Sequence, residues 1–347
     1  MTHNLIVRKQ GLAGWITLNR PDALNALSHD MVNGIAQALD AWRNEDDVKV
    51  ILIDGAGDRS FCAGGDVKEI YQAGNKGQHD RVKDFLATEY RLNAELAEYP
   101  IPIVSFLHGI VMGGGVGIGC HVSHRVIDTD ARVAMPECRI GLVPDVGGSL
   151  LLANAPGRLG EYMALCGTAL SADEAVSAGF ADHLIAKSEW DDLKRQICVS
   201  GDPDIVAGVS DTPAPLPGVW MRQIDAVFGG ETVEDILAAS SDTDFIDALQ
   251  QGSPISLSVT LDLIRRAREF SNIREALEHE FRFMARATEG ADGLEGIRAV
   301  VIDRDNKPAW RYSAAQDVAS ELIGHLTSPL DERERLFPIQ ISEEVMT

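Results

Sequence analysis

The chain has 347 residues, 45% of them hydrophobic, which is enough for a main domain, an appended one and a substantial core. Its 31 basic against 53 acidic residues give a net charge of −22, which argues strongly against nucleic acid or an anionic membrane as partner. Any phosphate-bearing ligand must be held by local groups working against that field. Cys62, Cys120, Cys138, Cys166 and Cys198 are odd in number and lack CxxC or Cys/His ligand spacing. Neither a disulfide framework nor a metal site is expected, and a reducing compartment fits best.

The amino terminus, MTHNLIVRK, enters an alternating segment at once, without the pattern of a signal or transit peptide, so a cytoplasmic protein is expected. Residues 5–8 and 15–18, joined by a turn over Gly11 to Gly14, read as a hairpin. Ser28 then caps a helix with the apolar stripe Met31, Ile35, Leu39 and Trp42, and residues 48–53 form a strand. A helix over 80–98 carries Val82, Phe85, Leu92 and Leu96, and the gap in that stripe is filled by Glu89. An acid there is either functional or a rim residue reaching sideways to Arg81.

Between Tyr99 and His124 no charged Lys, Arg, Asp or Glu occurs, over a length that could span a bilayer. Two prolines, three histidines and six glycines interrupt it. The better reading is a buried strand over 102–107 feeding a Gly-rich helix start, with a further strand over 125–128. Strands and helices in alternation imply crossover units and a largely parallel sheet.

After about residue 200 the texture changes. Gly201, Pro203 and then Pro213, Pro215 and Pro217 mark a linker-like stretch. Beyond it, Leu257, Leu261 and Ile264, then Ile273, Leu277, Phe281 and Met284, are helical stripes. The organisation expected is a core over 1–200 and a mostly helical region over 201–347, ending in an exposed polar arm, LDERERLFPIQISEEVMT. No internal repeat or low-complexity tract is present.

Three segments carry chemistry. Residues 133–148, VAMPECRIGLVPDVGG, hold Glu137 and Asp145 in a run with one other charge. Gly113, Gly114 and Gly115 lie upstream, and Phe61 to Asp66 reads FCAGGD. A thioester carbonyl under attack gathers negative charge on oxygen, and a backbone N–H aimed at it is worth about 2.7–4 kcal/mol. Glycines allow that close approach, although they equally serve tight turns and packing. Two carboxylates can divide proton transfer and attack between them, whereas Asp145 alone could be only a helix cap. A serine or cysteine hydrolase is the weakest reading, since Cys62 and Cys138 have no adjacent His and no GxSxG is present. Cys138 reads as a small packed side chain.

These segments, with Leu18 to Ala26 (LNRPDALNA) and His108 to Gly115 (HGIVMGGG), resemble the crotonase superfamily, the enoyl-CoA hydratase/isomerase group. The resemblance implies an α/β fold, a crotonase-like spiral of strand-strand-helix repeats with an appended helical C-terminal region, and a possible homo-oligomer, trimers being common in the family. It implies oxyanion-hole donors at the N–H groups of Gly65 and Gly114. It also implies CoA binding along Asn25, Ala26 and Leu27 and along Ala63, Gly65, Asp66 and Val67. Arg20 and Lys68 are adjacent candidates for the CoA phosphates, although a surface Lys or Arg is usually only solvated. CoA enters as part of an acyl-CoA substrate, with no separate cofactor.

Two departures bear on activity. Hydratases carry a catalytic glutamate where this chain has Gly117, and a glycine where it has Asp145. The pairing of Glu137 with Asp145 is instead similar to that of the 3-hydroxyisobutyryl-CoA hydrolases. So are Glu89 to Asn93 (EYRLN) and the late segment from Glu295 to Pro308, followed by Trp310. That likeness implies that Glu137 attacks the thioester or activates water and that Asp145 positions water and relays a proton. It further implies that Glu89 accepts a hydrogen bond from the substrate's 3-hydroxyl. A hydratase or isomerase using Glu137 alone, and a non-catalytic CoA-binding protein, are the competing expectations.

Overall fold

The structure, a computed structural model, describes residues 3–337. Strands β1 (Leu5–Gln10) and β2 (Ala13–Leu18) pair antiparallel from Leu5 against Leu18 to Gln10 against Ala13. The hairpin turn is therefore only Gly11-Leu12, tighter than the sequence suggests. Helix α1 (His29–Trp42) starts where Ser28 Oγ accepts the Met31 N–H, and it buries Met31, Ile35, Leu39 and Trp42.

The chain then repeats one move. Strands β3 (Val50–Gly55) and β4 (Ser60–Cys62) precede helices α2 (Val67–Asn75) and α3 (His79–Ala97). Strands β5 (Ile103–Leu107) and β6 (Ile110–Met112) precede α4 (Gly114–Gly119); β7 (His124–Ile127) and β8 (Arg132–Ala134) precede α5 (Gly148–Asn154) and α6 (Leu159–Cys166). In each pair the first strand joins one sheet and the second joins another. After β9 (Leu170–Ser171), α7 (Ala172–Ser177), β10 (His183–Leu184) and α8 (Trp190–Ser200), the sheets are complete, with orders β1-β2-β3-β5-β7-β10 and β4-β6-β8-β9. The expected strand-strand-helix spiral is what the chain forms, and the strands β2, β3, β5, β7 and β10 run parallel.

The apolar runs of the central strands follow from burial on both faces. On β3, Ile51 and Ile53 face the main core, while Val50 and Leu52 pack with Val104, Phe106 and Val126 against Trp190, Leu193 and Ile197 of α8. The stretch from Tyr99 to His124 thus holds the strands β5 and β6 and the short helix α4, and no helix of the described residues is long and apolar enough to cross a membrane.

The second half is helical: α9 (Gly218–Phe228), α10 (Val233–Ala239), α11 (Thr243–Gln250), α12 (Pro254–Ala267), α13 (Ile273–Met284), α14 (Gly293–Ile297) and α15 (Ser320–Thr327). Two sequence expectations change here. Residues 201–217 are not a free linker: Pro203–Gly208 forms a 3-10 turn, and the Asp211 N–H donates to the Leu184 carbonyl at 2.8 Å. Nor is the terminal stretch an arm as far as it is described. Leu336 is buried, its carbonyl accepts Arg91 Nε at 3.0 Å, and the Phe337 N–H donates to Glu278. The remaining residues of that expected arm, 338–347, lie outside the described ones. Helices α12 and α13 pack on α5, α6 and α3, so the buried side chains of both halves form one continuous core.

Candidate active site

Two glycine-bearing loops meet above β4 and β6. Leu24 and Asn25 both sit at positive φ, and this bend stitches the first loop to the second: the Ala63 N–H donates to Leu24, Leu27 to Gly64 and Asp66 to Leu27. Asn25 anchors the bend, because its side-chain amide donates to the Ala56 and Ser60 carbonyls and its oxygen accepts the Arg20 N–H. Of the seven residues expected along CoA, Ala26, Ala63, Gly65, Asp66 and Val67 reach the surface. Asn25 and Leu27 are fully buried and hold the loop from beneath. Arg20 is tied to Asp66 at 3.0 Å and to the Ala26 carbonyl, which leaves the exposed Lys68 as the free one of the two expected cations.

Gly113, at φ 47°, turns the chain so that α4 begins beside Gly65 of the first loop. A Cβ on Gly114 would lie 3.1 Å from the Gly65 nitrogen and 2.6 Å from Glu89 Oε1. Only glycine fits between these groups. Among the described residues neither the Gly65 nor the Gly114 N–H donates to another protein group. Two such free donors lie close together, an arrangement suited to charge on a single oxygen.

Three carboxyls surround this pair. Glu89 is buried on α3, with Oε1 lacking any protein partner, so the alternative of a rim residue paired with Arg81 does not hold. Glu137 opens a 3-10 turn that Pro136 precedes; it too is buried, with Oε2 unpartnered. Asp145 is not a helix cap either: Gly147 occupies that position, and Asp145 Oδ2 accepts the Tyr90 hydroxyl at 2.7 Å.

Burial dominates their titration. It pushes Glu89 up to about 8 and Asp145 up to about 6, the Tyr90 hydrogen bond opposing the latter. Glu137 is raised well above the ordinary carboxylate range by burial and then by the charge of Asp145. Glu137 and Asp145 thus disfavour joint ionisation. One member can then act on a carbonyl or water while the other carries the proton.

All of these groups line a single cavity of about 400 Å³, whose far wall is Met284, Val300 and Val301 from the helical region. Its lining is mostly apolar with few convergent polar groups, as suits a small acyl group. Cys138 is packed against Thr260, and all five cysteines are buried and unpaired.

Sequence reasoning missed two participants. Tyr90 was passed over, although it neighbours Glu89 and orients Asp145. Glu280 on α13 is fully buried and accepts hydrogen bonds from Gly147 and Ser149, just beyond Asp145. The signal that marked Glu89 was available there too. Glu280 lies three residues after Leu277 and four before Met284, an acid on an apolar stripe.

The sequence pattern of the enoyl-CoA hydratase/isomerase family matches residues 13–326. The chain belongs to that family. Among relatives, it is 35% identical to the mitochondrial 3-hydroxyisobutyryl-CoA hydrolase of Danio rerio, over 95% of this chain and 91% of that protein. It is 32% identical to the probable 3-hydroxyisobutyryl-CoA hydrolase 3 of Arabidopsis thaliana, over 97% and 95% respectively. Among solved structures, an enoyl-CoA hydratase from Rhodobacter sphaeroides is 41% identical with a TM-score of 0.90, over 96% of this chain and 99% of that one. A carnitinyl-CoA dehydratase from Mycobacterium thermoresistibile is 38% identical with a TM-score of 0.91, over 97% and 99%.

The position of Gly117, marked in the sequence as a departure, is closed here. A Cβ on Gly117 would stand 2.7 Å from Val146 Cβ and 2.8 Å from Asn93 Nδ2. No side chain can leave α4 at Gly117 unless these neighbours shift.

Proposed function

We propose that this member of the enoyl-CoA hydratase/isomerase family hydrolyses a short β-hydroxyacyl-CoA thioester. The substrate we favour is 3-hydroxyisobutyryl-CoA, cleaved to 3-hydroxyisobutyrate and CoA in valine breakdown. The reading rests above all on the closed Gly117 position beside an intact Glu137 and Asp145. Relatives named 3-hydroxyisobutyryl-CoA hydrolase support it over most of the chain.

In this reading the thioester oxygen lies between the N–H groups of Gly65 and Gly114, which stabilise the charge that forms there. Glu137 attacks the carbonyl carbon and is then freed by water, or takes a proton from the attacking water; Asp145, held by Tyr90, places that water, and the proton removed from it is relayed to the departing thiolate. Glu89 receives the substrate's 3-hydroxyl. The chemistry uses no cofactor, since CoA arrives as part of the substrate. We place the protein in the cytoplasm, a reducing compartment that suits five unpaired buried cysteines. Cell fractionation tests this, because vertebrate relatives are named as mitochondrial.

A second reading has its own support: the solved structures at 41% and 38% identity are named a hydratase and a dehydratase. Free-thiol release from 3-hydroxyisobutyryl-CoA, measured beside hydration of crotonyl-CoA, separates the two. Rapid CoA release with little hydration is expected. Hydration without thiol release overturns the hydrolase reading, and binding without either reaction means a non-catalytic CoA-binding protein.

A further inference from the structure

The turn that carries Asp145 is held by a carboxyl group to which the proposed chemistry gives no part. Glu280 on α13 is fully buried. It accepts the Gly147 N–H at 2.8 Å, the Ser149 N–H at 3.0 Å and the Ser149 hydroxyl. No arginine, lysine or histidine among the described residues pairs with it within 4.0 Å. Burying a carboxyl without a cation is costly, and a neutral side chain could cap the short helix α5 for less.

What the three bonds hold is an unusual turn. Val146 adopts φ 55° and Gly147 φ 79°. A β-branched residue in the left-handed region persists only where its surroundings over-determine it. Here His121 Nε2 lies 2.9 Å from the Val146 carbonyl, and a Cβ on Gly147 would collide with His121 and Ile273. Tyr90, the partner of Asp145, packs edge-on against Phe281, the residue after Glu280. One helix of the appended region thus grips both the turn after Asp145 and the side chain that orients Asp145.

We propose that Glu280 is a positioning residue for Asp145, fixing the turn of residues 145–149 so that the Asp145 carboxyl stays aimed into the acyl cavity beside Glu137. The inference rests on the hydrolase reading of Asp145. The titratable groups facing Glu280 are Asp145 from its loop, Tyr90 from α3 and Glu137 across the site, while His121 meets the same turn at the Val146 carbonyl. Burial lifts the Glu280 carboxyl to about 7 against the pull of its three donors, and the charge of Asp145 adds to the rise.

The test compares Glu280→Gln with wild type in kcat, KM and the pH profile of CoA release from 3-hydroxyisobutyryl-CoA, each also in an Asp145→Asn background. Gln keeps the shape but turns an N–H₂ toward an N–H donor. A fall in kcat of about 10- to 100-fold is expected, with KM within about twofold, because a misplaced group costs rate more than binding. The acidic limb of the profile should move, and in Asp145→Asn the same change should cost less than about threefold. An unchanged kcat, or an equal loss in both backgrounds, overturns the proposal, since a purely structural anchor acts whether or not Asp145 is present. If Glu280→Gln does not fold, Ser149→Ala, which removes one donor, decides by the same comparison. Wild-type release is read first: if it is absent the hydrolase reading falls, and the variants are then scored on whichever acyl-CoA reaction the wild type performs.

Discussion

The Tyr90 hydroxyl donates to Asp145 Oδ2 at 2.7 Å, and both groups are buried. This bond joins α3, which also carries Glu89, to the loop that follows Glu137, and it favours the ionised form of Asp145 against the effect of burial. Tyr90→Phe keeps the ring and its contact with Phe281 while removing the donor. A hydrogen bond to a charged group is worth about 1.5–3 kcal/mol. Without it the Asp145 pKa rises above about 6, so ionised Asp145 is lost at a higher pH. The pH profile of thiol release should show its acidic limb displaced upward, with kcat reduced about tenfold or more. An undisplaced limb would show that Asp145 does not titrate in the rate-limiting state.

Glu137 is the residue on which turnover depends most. Glu137→Gln preserves its volume but can neither attack nor accept a proton. Turnover should fall by about a thousandfold or more, while CoA affinity stays within a few-fold. Calorimetry with CoA beside a thiol-release assay checks both halves. Wild-type rates in this variant would remove Glu137 from the mechanism.

Gly117→Glu asks whether the family's hydratase glutamate can simply be restored. Its first carbon already conflicts with Val146 and Asn93. Overpacking costs about 1–3 kcal/mol, and a carboxyl in that setting costs more. The expected result is a lowered thermal midpoint and no crotonyl-CoA hydration. Hydration gained without loss of stability would mean that the α4 surroundings yield more readily than their packing implies.

Glu89 makes stability depend on pH. Its carboxyl is raised from 4.5 to about 8, so the folded protein holds the proton that the unfolded chain releases. Glu89 therefore costs nothing below pH 4.5, and stability falls as pH rises from there toward 8. The slope is at most about 1.4 kcal/mol per pH unit. Thermal midpoints across this window should decline in the wild type and decline less in Glu89→Gln, which ought to be the more stable protein at pH 8. Parallel curves would show that Glu89 is not the group responsible.

Much of the site was legible because its residue types are uncommon in their settings. Glu89 interrupts an apolar stripe, Glu137 and Asp145 stand in a nearly uncharged run, and Gly113 to Gly115 have no side chains where a helix should begin. The same stripe logic reaches Glu280, but the late helices were read for their apolar positions alone. Asn25 could be read as a ligand contact because its motif is local, whereas its three hydrogen bonds go to Arg20, Ala56 and Ser60, the last two more than thirty residues away.

Local pattern alone determined where most helices and strands lie, since periodicity, caps and glycine placement act within a few residues. It also determined which residues have no bland reason to be present. Tertiary structure decided which of them meet: that Gly114 lies against Gly65, and that Gly117 has no room beside Val146 and Asn93. It likewise decided that the helical half completes the cavity and grips the turn after Asp145 through Glu280, rather than standing apart. These are relations between residues dozens to more than a hundred positions apart, created by burial and close packing, and no local pattern encodes a distance of that kind.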